Sequence, residues 1–320
     1  METVPCPISD SPDFTPFMQV PDRFDPSVRW QLVQSTSSGL VMLNPRPDSA
    51  EIASHYRSGS YDPYLHQHQG ASLRERMYLA ARLLLLRYRA HLVLHGAAKP
   101  LRELSILEIG SSTGDLLNFF YRSMGLPLAH LAGVEPDAAS AAYARENFGL
   151  RVSSSLEREY GGTFDRIVLW HTLEHIHDLN ETLRAVADLL APDGVLVVAL
   201  PNPACSGAGY YGENWVAWDA PRHLYHFQPD TLSELLERHN LHVFKRRAYA
   251  PDAVYNALHS EQLCCERNGR PFDLRRIGAA LWRGALDACR GVLYPFESAG
   301  VVYFATLRPN ALSSRVVADR

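Results

Sequence analysis

The rhythm of apolar and polar positions changes three times along the chain. Residues 1–70 show little periodicity: Pro12, Pro16, Pro21 and Pro26 punctuate them, and one strand-like run, 39–43, stands before Asn44-Pro45-Arg46-Pro47. Residues 72–94 place Leu73, Met77, Leu84 and Val93 at helical spacing, and the other face, with Arg74, Arg82 and Arg89, reads as solvated. From residue 104 short apolar runs alternate with helical patterns. Strands are expected at 105–110, 128–135, 166–170 and 195–200, with helices at 115–124, 138–148 and 180–190 between them. Strands spaced by helices of this length form βαβ units, so the expected fold class is α/β, a doubly wound and mainly parallel sheet covered on both faces. A helix at 229–239, a strand near Val243, mostly helical sequence from 252 to 293 and a last strand at 300–307 complete the pattern.

Composition narrows the classes. The 320 residues are 46% hydrophobic and 21% charged, as in ordinary globular chains, and allow one large domain with additions or two domains. Thirty-one basic against 35 acidic residues, a net charge of −4, argue against a sequence-indifferent nucleic-acid binder. No apolar run approaches the ~20 residues of a membrane span; the richest, 79–86, is broken by Arg82. The first residues have neither a basic nor an apolar leader region, and five cysteines at no framework spacing read as reduced thiols. Together these predict a cytoplasmic protein. The oligomeric state is not readable.

The strongest chemical signal is Leu107-Glu108-Ile109-Gly110-Ser111-Ser112-Thr113-Gly114-Asp115. It predicts a strand, a tight turn that needs glycine for close ligand approach, and a helix N-terminus with free N–H groups. Glu135, at the end of the next strand, is placed to accept the hydroxyls of a ribose. A nicotinamide or flavin fingerprint, G-x-G-x-x-G, would require glycine at 112 and 115. Ser112 and Asp115 stand there, which disfavours an oxidoreductase.

The pattern that is present, E-x-G-x-x-x-G, resembles the first motif of class I S-adenosylmethionine-dependent methyltransferases. The similarity continues through Phe164 to Ile176, through Leu189-Leu190-Ala191-Pro192-Asp193-Gly194, and through Trp215 to Phe227. It is to the bacterial type 11/12/23 group, which includes the ubiquinone-pathway O-methyltransferases. The resemblance implies a Rossmann-like seven-stranded sheet with an antiparallel last strand, and S-adenosyl-L-methionine as cofactor. It sets Glu108, Gly110 and Gly114 along the cofactor's methionine part and Glu135 on its ribose. Residues 171–174 would border the methionine end. Ile109, Ser111, Ser112, Pro136, Trp170, His171 and Leu173 complete the expected cofactor set. The adenine contact, in the region 153–157, is not assigned.

Domains follow from the same comparison. Residues 1–70 would be a degenerate zinc-ribbon-like lobe, 71–100 a helical connector, and 101–310 the catalytic domain, with an aromatic lid at 207–228 and a helical insertion at 252–297. Relatives often begin with two C-x-x-C pairs; here the four positions read Cys6, Ser9, Ser35 and Ser38. One thiolate and three hydroxyls are a poor zinc set, so a lobe without metal is expected. The alternative is a simply irregular lobe. His171-Thr172-Leu173-Glu174-His175 also fits the H-x-x-E-H pattern of zinc peptidases. It follows a strand rather than lying on a helix, so His175 reads as structural and no metal is assigned. The aromatic segment either covers a pocket or packs as core. Within it His223 and His226 are the candidate catalytic bases. The expected function is methyl transfer to a small-molecule or glycan-precursor acceptor, at oxygen. A catalytically inactive cofactor-binding scaffold is the alternative.

Overall fold

In the computed structural model, which describes residues 1–56, 73–97, 99–156 and 162–307, the N-terminal segment is more ordered than its pattern suggests. Strands β1 (Phe14–Pro21) and β2 (Arg29–Ser35) pair antiparallel, and β3 (Val41–Leu43) adds to β2. The reason they escape a search for alternation is burial. Only the last two residues of β1 are buried, and its register shifts between Pro16 and Met18, so neither face needs a regular apolar set. The expected lobe boundary near residue 70 lies outside the described residues.

Helix α1 (Leu73–Val93) leads into the alternating region. There follow β4 (Ile106–Ile109), α2 (Asp115–Met124), β5 (Leu131–Val134), α3 (Ala138–Phe148), β6 (Arg151–Ser153) and β7 (Phe164–Trp170). Next come α4 (Leu179–Leu189), β8 (Leu190–Pro201), the short α5 (Ser206–Tyr211) and β9 (Tyr225–His226). The chain continues with α6 (Pro229–Glu237), β10 (Leu241–Ala248), α7 (Ala250–Arg267), α8 (Leu274–Leu293) and β11 (Gly300–Leu307).

Seven strands form one sheet in the order β10-β11-β8-β7-β4-β5-β6. The five from β8 to β6 run parallel, and β11 is antiparallel to both of its neighbours. All residues of β4, β5 and β7 are buried, as continuous apolar strands between two helical layers require. The carboxyl ends of β4 and β7 meet where the strand order reverses, which is the crevice position in a doubly wound sheet. Buried Arg166 on β7 donates to the carbonyls of Val93 (3.0 Å) and His95 (3.4 Å), fastening the end of α1 to the sheet.

The second sheet runs β1-β2-β3-β9, so its last strand comes from the aromatic segment. Val41 faces His226 and Met42 faces Tyr225 across that pair. Arg46, 5% exposed, donates to the Tyr225 hydroxyl (2.7 Å) and to Glu2 (2.7 Å). One hydrophobic core therefore contains Leu32, Leu40 and Met42 of the N-terminal strands together with Leu169, Leu200 and Phe227.

Candidate functional site

The turn after β4 is built by hydrogen bonds to the neighbouring strand. The N–H groups of Gly110 and Ser111 both donate to the Val134 carbonyl, at 2.8 and 3.0 Å. Gly110 has φ +76, and a Cβ there would stand 2.3 Å from Thr172 Oγ1, so the position excludes any side chain. Ser112 beside it also lies in the left-handed region, at φ +49, as does His171 at φ +51. Two non-glycine residues held in that region on facing strand ends mark a place where the surroundings over-determine the backbone.

Two carboxylates flank the turn. Glu135 accepts the Ser112 N–H at 2.8 Å and the Asp137 N–H at 2.9 Å, one on each oxygen. Burial pushes its pKa up, and those two hydrogen bonds oppose the shift. Glu108 is 6% exposed, and its Oε2 has no hydrogen-bond partner. Burial pushes Glu108 up to about 8, against the nearby Arg89 charge. An unpartnered buried carboxylate oxygen next to a turn closed to side chains is a ready acceptor for donors of a ligand. These residues fit S-adenosylmethionine, with Glu135 available to ribose hydroxyls and Glu108 to a cationic or donor group.

The structure gathers the expected set at the carboxyl ends of β4, β5 and β7, but in different capacities. The side chains of Ile109 and Leu173 are buried in the core and can offer the site only backbone. Ser111 and Trp170 are buried with Ser111 Oγ and Trp170 Nε1 unpartnered, whereas Pro136 is exposed and Ser112 half-buried. Gly114 caps α2 at φ +77.

His171 joins two carboxylates. Its Nε2 is 3.2 Å from Asp252 Oδ2, and its Nδ1 is 3.7 Å from Glu174 Oε1. Burial alone would lower its pKa; the charge and hydrogen bond of Asp252, then Glu174, outweigh this and raise it to about 10. Glu174 is 1% exposed, and burial would raise its pKa. The His171 imidazole beside it, with His175 and His223 nearby, instead holds it down to about 2. Ligand atoms of Glu174, His175 and His223 lie within 4.8 Å of one another, close enough to hold a cation. His175 Nδ1 lies 2.9 Å from both the Arg222 carbonyl and the Tyr56 hydroxyl.

Of the two roles expected for the aromatic segment, packing as core describes most of its rings. Trp215, Trp218, Tyr225 and Phe227 are all buried in the core, because β9 belongs to the N-terminal sheet and draws the segment inward; Tyr210 is exposed. His223 and His226 go with it. They line a narrow cavity with Glu174, Leu200, Pro201, Tyr225 and Phe227. His223 Nδ1 is 2.8 Å from the Ala217 carbonyl, and burial with the His175 charge pushes it down to about 4. Burial pushes His226 down to about 3. Both imidazoles are therefore neutral at physiological pH, and they share their cavity with Glu174, the neighbour of His171.

Two arginines expected on a solvated face are engaged instead. Arg82 pairs with Asp115 at the start of α2, and Arg89 lies over the Trp170 ring at 5.2 Å with its Nε 3.3 Å from the Tyr249 hydroxyl. The Arg74 side chain lies outside the described residues, and so does Glu157 of the unassigned adenine region. Asp252 carried no role in the sequence reading, and its pairing with His171 has no local signal to announce it.

Comparison with known proteins agrees with this arrangement. The family profile described as a methyltransferase domain matches residues 73–245, more than half of the chain. A ubiquinone biosynthesis O-methyltransferase of Caulobacter sp. (strain K31) is 31% identical over 32% of this chain and 43% of its own length. One from Rhizobium johnstonii is 26% identical over 50% of this chain and 68% of its own. The chain spans less than half the length of the Caulobacter relative. Among solved structures, a geranyl diphosphate C-methyltransferase from Streptomyces coelicolor A3(2) gives a TM-score of 0.47 at 14% identity, covering 76% of this chain and 89% of that one. With the glycine turn, the carboxylate on the second strand and the family profile on the same residues, the chain belongs to the class I S-adenosylmethionine-dependent methyltransferases.

Proposed function

We propose that the chain methylates an oxygen of a small-molecule acceptor. The observation that carries this reading is the Glu135 carboxylate, fixed by the Ser112 and Asp137 N–H groups beside the turn closed by Gly110. Oxygen as the acceptor atom is supported by the relatives' names, which are ubiquinone biosynthesis O-methyltransferases. S-adenosylmethionine supplies a methyl group already activated on a sulfonium, so the protein's work is alignment, exclusion of water and proton removal.

His223 suits proton removal better than His226. With Nδ1–H donating to the Ala217 carbonyl, Nε2 is the nitrogen left with a lone pair, which would take the acceptor's hydroxyl proton. The sulfonium would supply the methyl group to that oxygen, and His223 Nε2 would keep the proton. His171, held cationic between Asp252 and Glu174, serves position and charge rather than proton abstraction. Among the described residues no helix is long and apolar enough to cross a membrane, and the five cysteines are unpaired, which supports a reducing compartment.

Calorimetric titration with S-adenosylmethionine and S-adenosylhomocysteine tests the cofactor half, with Glu135→Ala as control. Micromolar binding that weakens at least tenfold in the variant is expected; no binding to folded protein would reject the reading. S-adenosylhomocysteine formation with phenol and catechol acceptors then tests oxygen transfer, which His223→Gln should slow roughly 100-fold.

A further inference from the structure

Helix α8 turns an apolar stripe outward along its whole length. Leu274, Leu281, Trp282, Leu286, Val292 and Leu293 share one arc of the helix and are all exposed, Leu274 at 85%, Leu293 at 74% and Trp282 at 69%. Its buried positions are the small residues Ala280, Gly284 and Gly291, and the helix packs along α7. A helix that serves only a core places its large apolar side chains inward. Here the distribution is reversed over roughly 30 Å, the length of 20 helical residues, and Tyr294 and Phe296 prolong the exposed stripe beyond the last turn. Solvent-facing apolar surface of that extent marks a binding surface.

The polar residues of the helix indicate what it binds. It carries Arg275, Arg276, Arg283 and Arg290 against Asp287 as its single acid, on a chain whose net charge is −4. Arg276 and Arg290 meet Glu261 and Glu297 yet remain 44% and 55% exposed, and Arg283 lies over the Tyr210 ring at 3.3 Å. Arginines beside and within an apolar stripe that carries Trp282, with Tyr294 just beyond its end, are the chemistry of a helix that lies in the headgroup layer of an anionic bilayer. We propose that α8 is a peripheral anchor that seats this chain on an anionic lipid surface. A second copy is the weaker occupant, because self-pairing of the stripe would bring two arginine borders together.

The anchor is placed to matter to the site. Asp252, in the first turn of α7, contacts His171, and α7 carries α8 on its outer side. The helix pair thus runs from the end of β7 to the surface.

The test is sedimentation of the full chain with vesicles of phosphatidylcholine alone or mixed with phosphatidylglycerol. Binding to the mixed vesicles is expected, at least tenfold weaker in 0.5 M salt. The double variant Trp282→Glu, Leu286→Glu should abolish it while keeping the wild-type melting temperature, since both side chains are exposed. Arg275→Gln with Arg290→Gln should weaken it severalfold. Absence of binding to either vesicle overturns the proposal, and so does equal binding to both. A dimer by light scattering that the double variant dissolves, without vesicle binding, assigns the stripe to a second copy and also overturns it.

Discussion

His171 Nε2 stands 3.2 Å from Asp252 Oδ2, tying the end of β7 to the first turn of α7 across 81 residues of sequence. The contact exists because Gly300 on β11 leaves room for the aspartate: a Cβ at 300 would lie 2.1 Å from Asp252 Oδ2. The pair has a definite pH signature. The His171 pKa is raised from 6.5 to about 10, so its contribution to stability is complete below pH 6.5 and disappears as pH climbs to about 10. Glu174 is lowered from 4.5 to about 2, so its contribution is complete above pH 4.5 and disappears as pH falls toward 2. The stability lost in His171→Ala is therefore expected to be largest between pH 4.5 and 6.5 and to shrink above it. Denaturant melts of wild type and variant from pH 4 to 10 check this; a difference independent of pH would contradict the pairing.

Gly110→Ala is expected to destabilise the chain by about 2 kcal/mol or more, through the left-handed backbone and the collision with Thr172. Thr172→Ala in the same chain should recover part of the loss, the part due to collision rather than to φ. Recovery of none or of all of it would show that a single cause had been misassigned. Thermal melts of the two single variants and the double variant separate them.

Arg89 lies over Trp170 and reduces the charge cost of buried Glu108. Arg89→Met should weaken S-adenosylmethionine binding about tenfold, or about 1.4 kcal/mol. Unchanged affinity in calorimetry would remove Arg89 from the site.

Cys6 Sγ is 3.2 Å from Ser38 Oγ, with the Ser9 and Ser35 hydroxyls nearby. Burial would raise the thiol's pKa; these hydroxyls together hold it below the ordinary value. We read this convergence as a zinc-ribbon frame without its ligands. Ser9→Cys, Ser35→Cys and Ser38→Cys combined should then bind one zinc per chain by atomic absorption and raise the melting temperature, whereas wild type binds none. A triple variant without zinc would leave the four positions merely close.

Much of this protein was legible one segment at a time. The apolar runs of β4, β5 and β7, the Gly110–Gly114 turn and the helices between them follow from periodicity and backbone preference, and those act over a few residues. Glu135 was readable for the same reason, since it follows a strand that its own neighbours define, whereas Glu108 was named by the resemblance. Of the N-terminal strands, β3 was readable as the apolar run 39–43, but β1 and β2 were not, because few of their residues are buried and they carry no alternation. The direction of the aromatic segment was not either, because β9 is a strand only by pairing with β3. Arg89 and Arg82 look like a solvated helix face until α1 is laid against β7 and α2. By itself the sequence determined the parallel sheet and the turn, which rest on local geometry and chain rhythm, and its resemblance to known methyltransferases named the cofactor class. Tertiary structure alone decided the charge of His171, the neutrality of His223 and the outward stripe of α8. A titration state depends on which groups burial sets beside it, and an amphipathic face takes its meaning from which side the fold leaves in water.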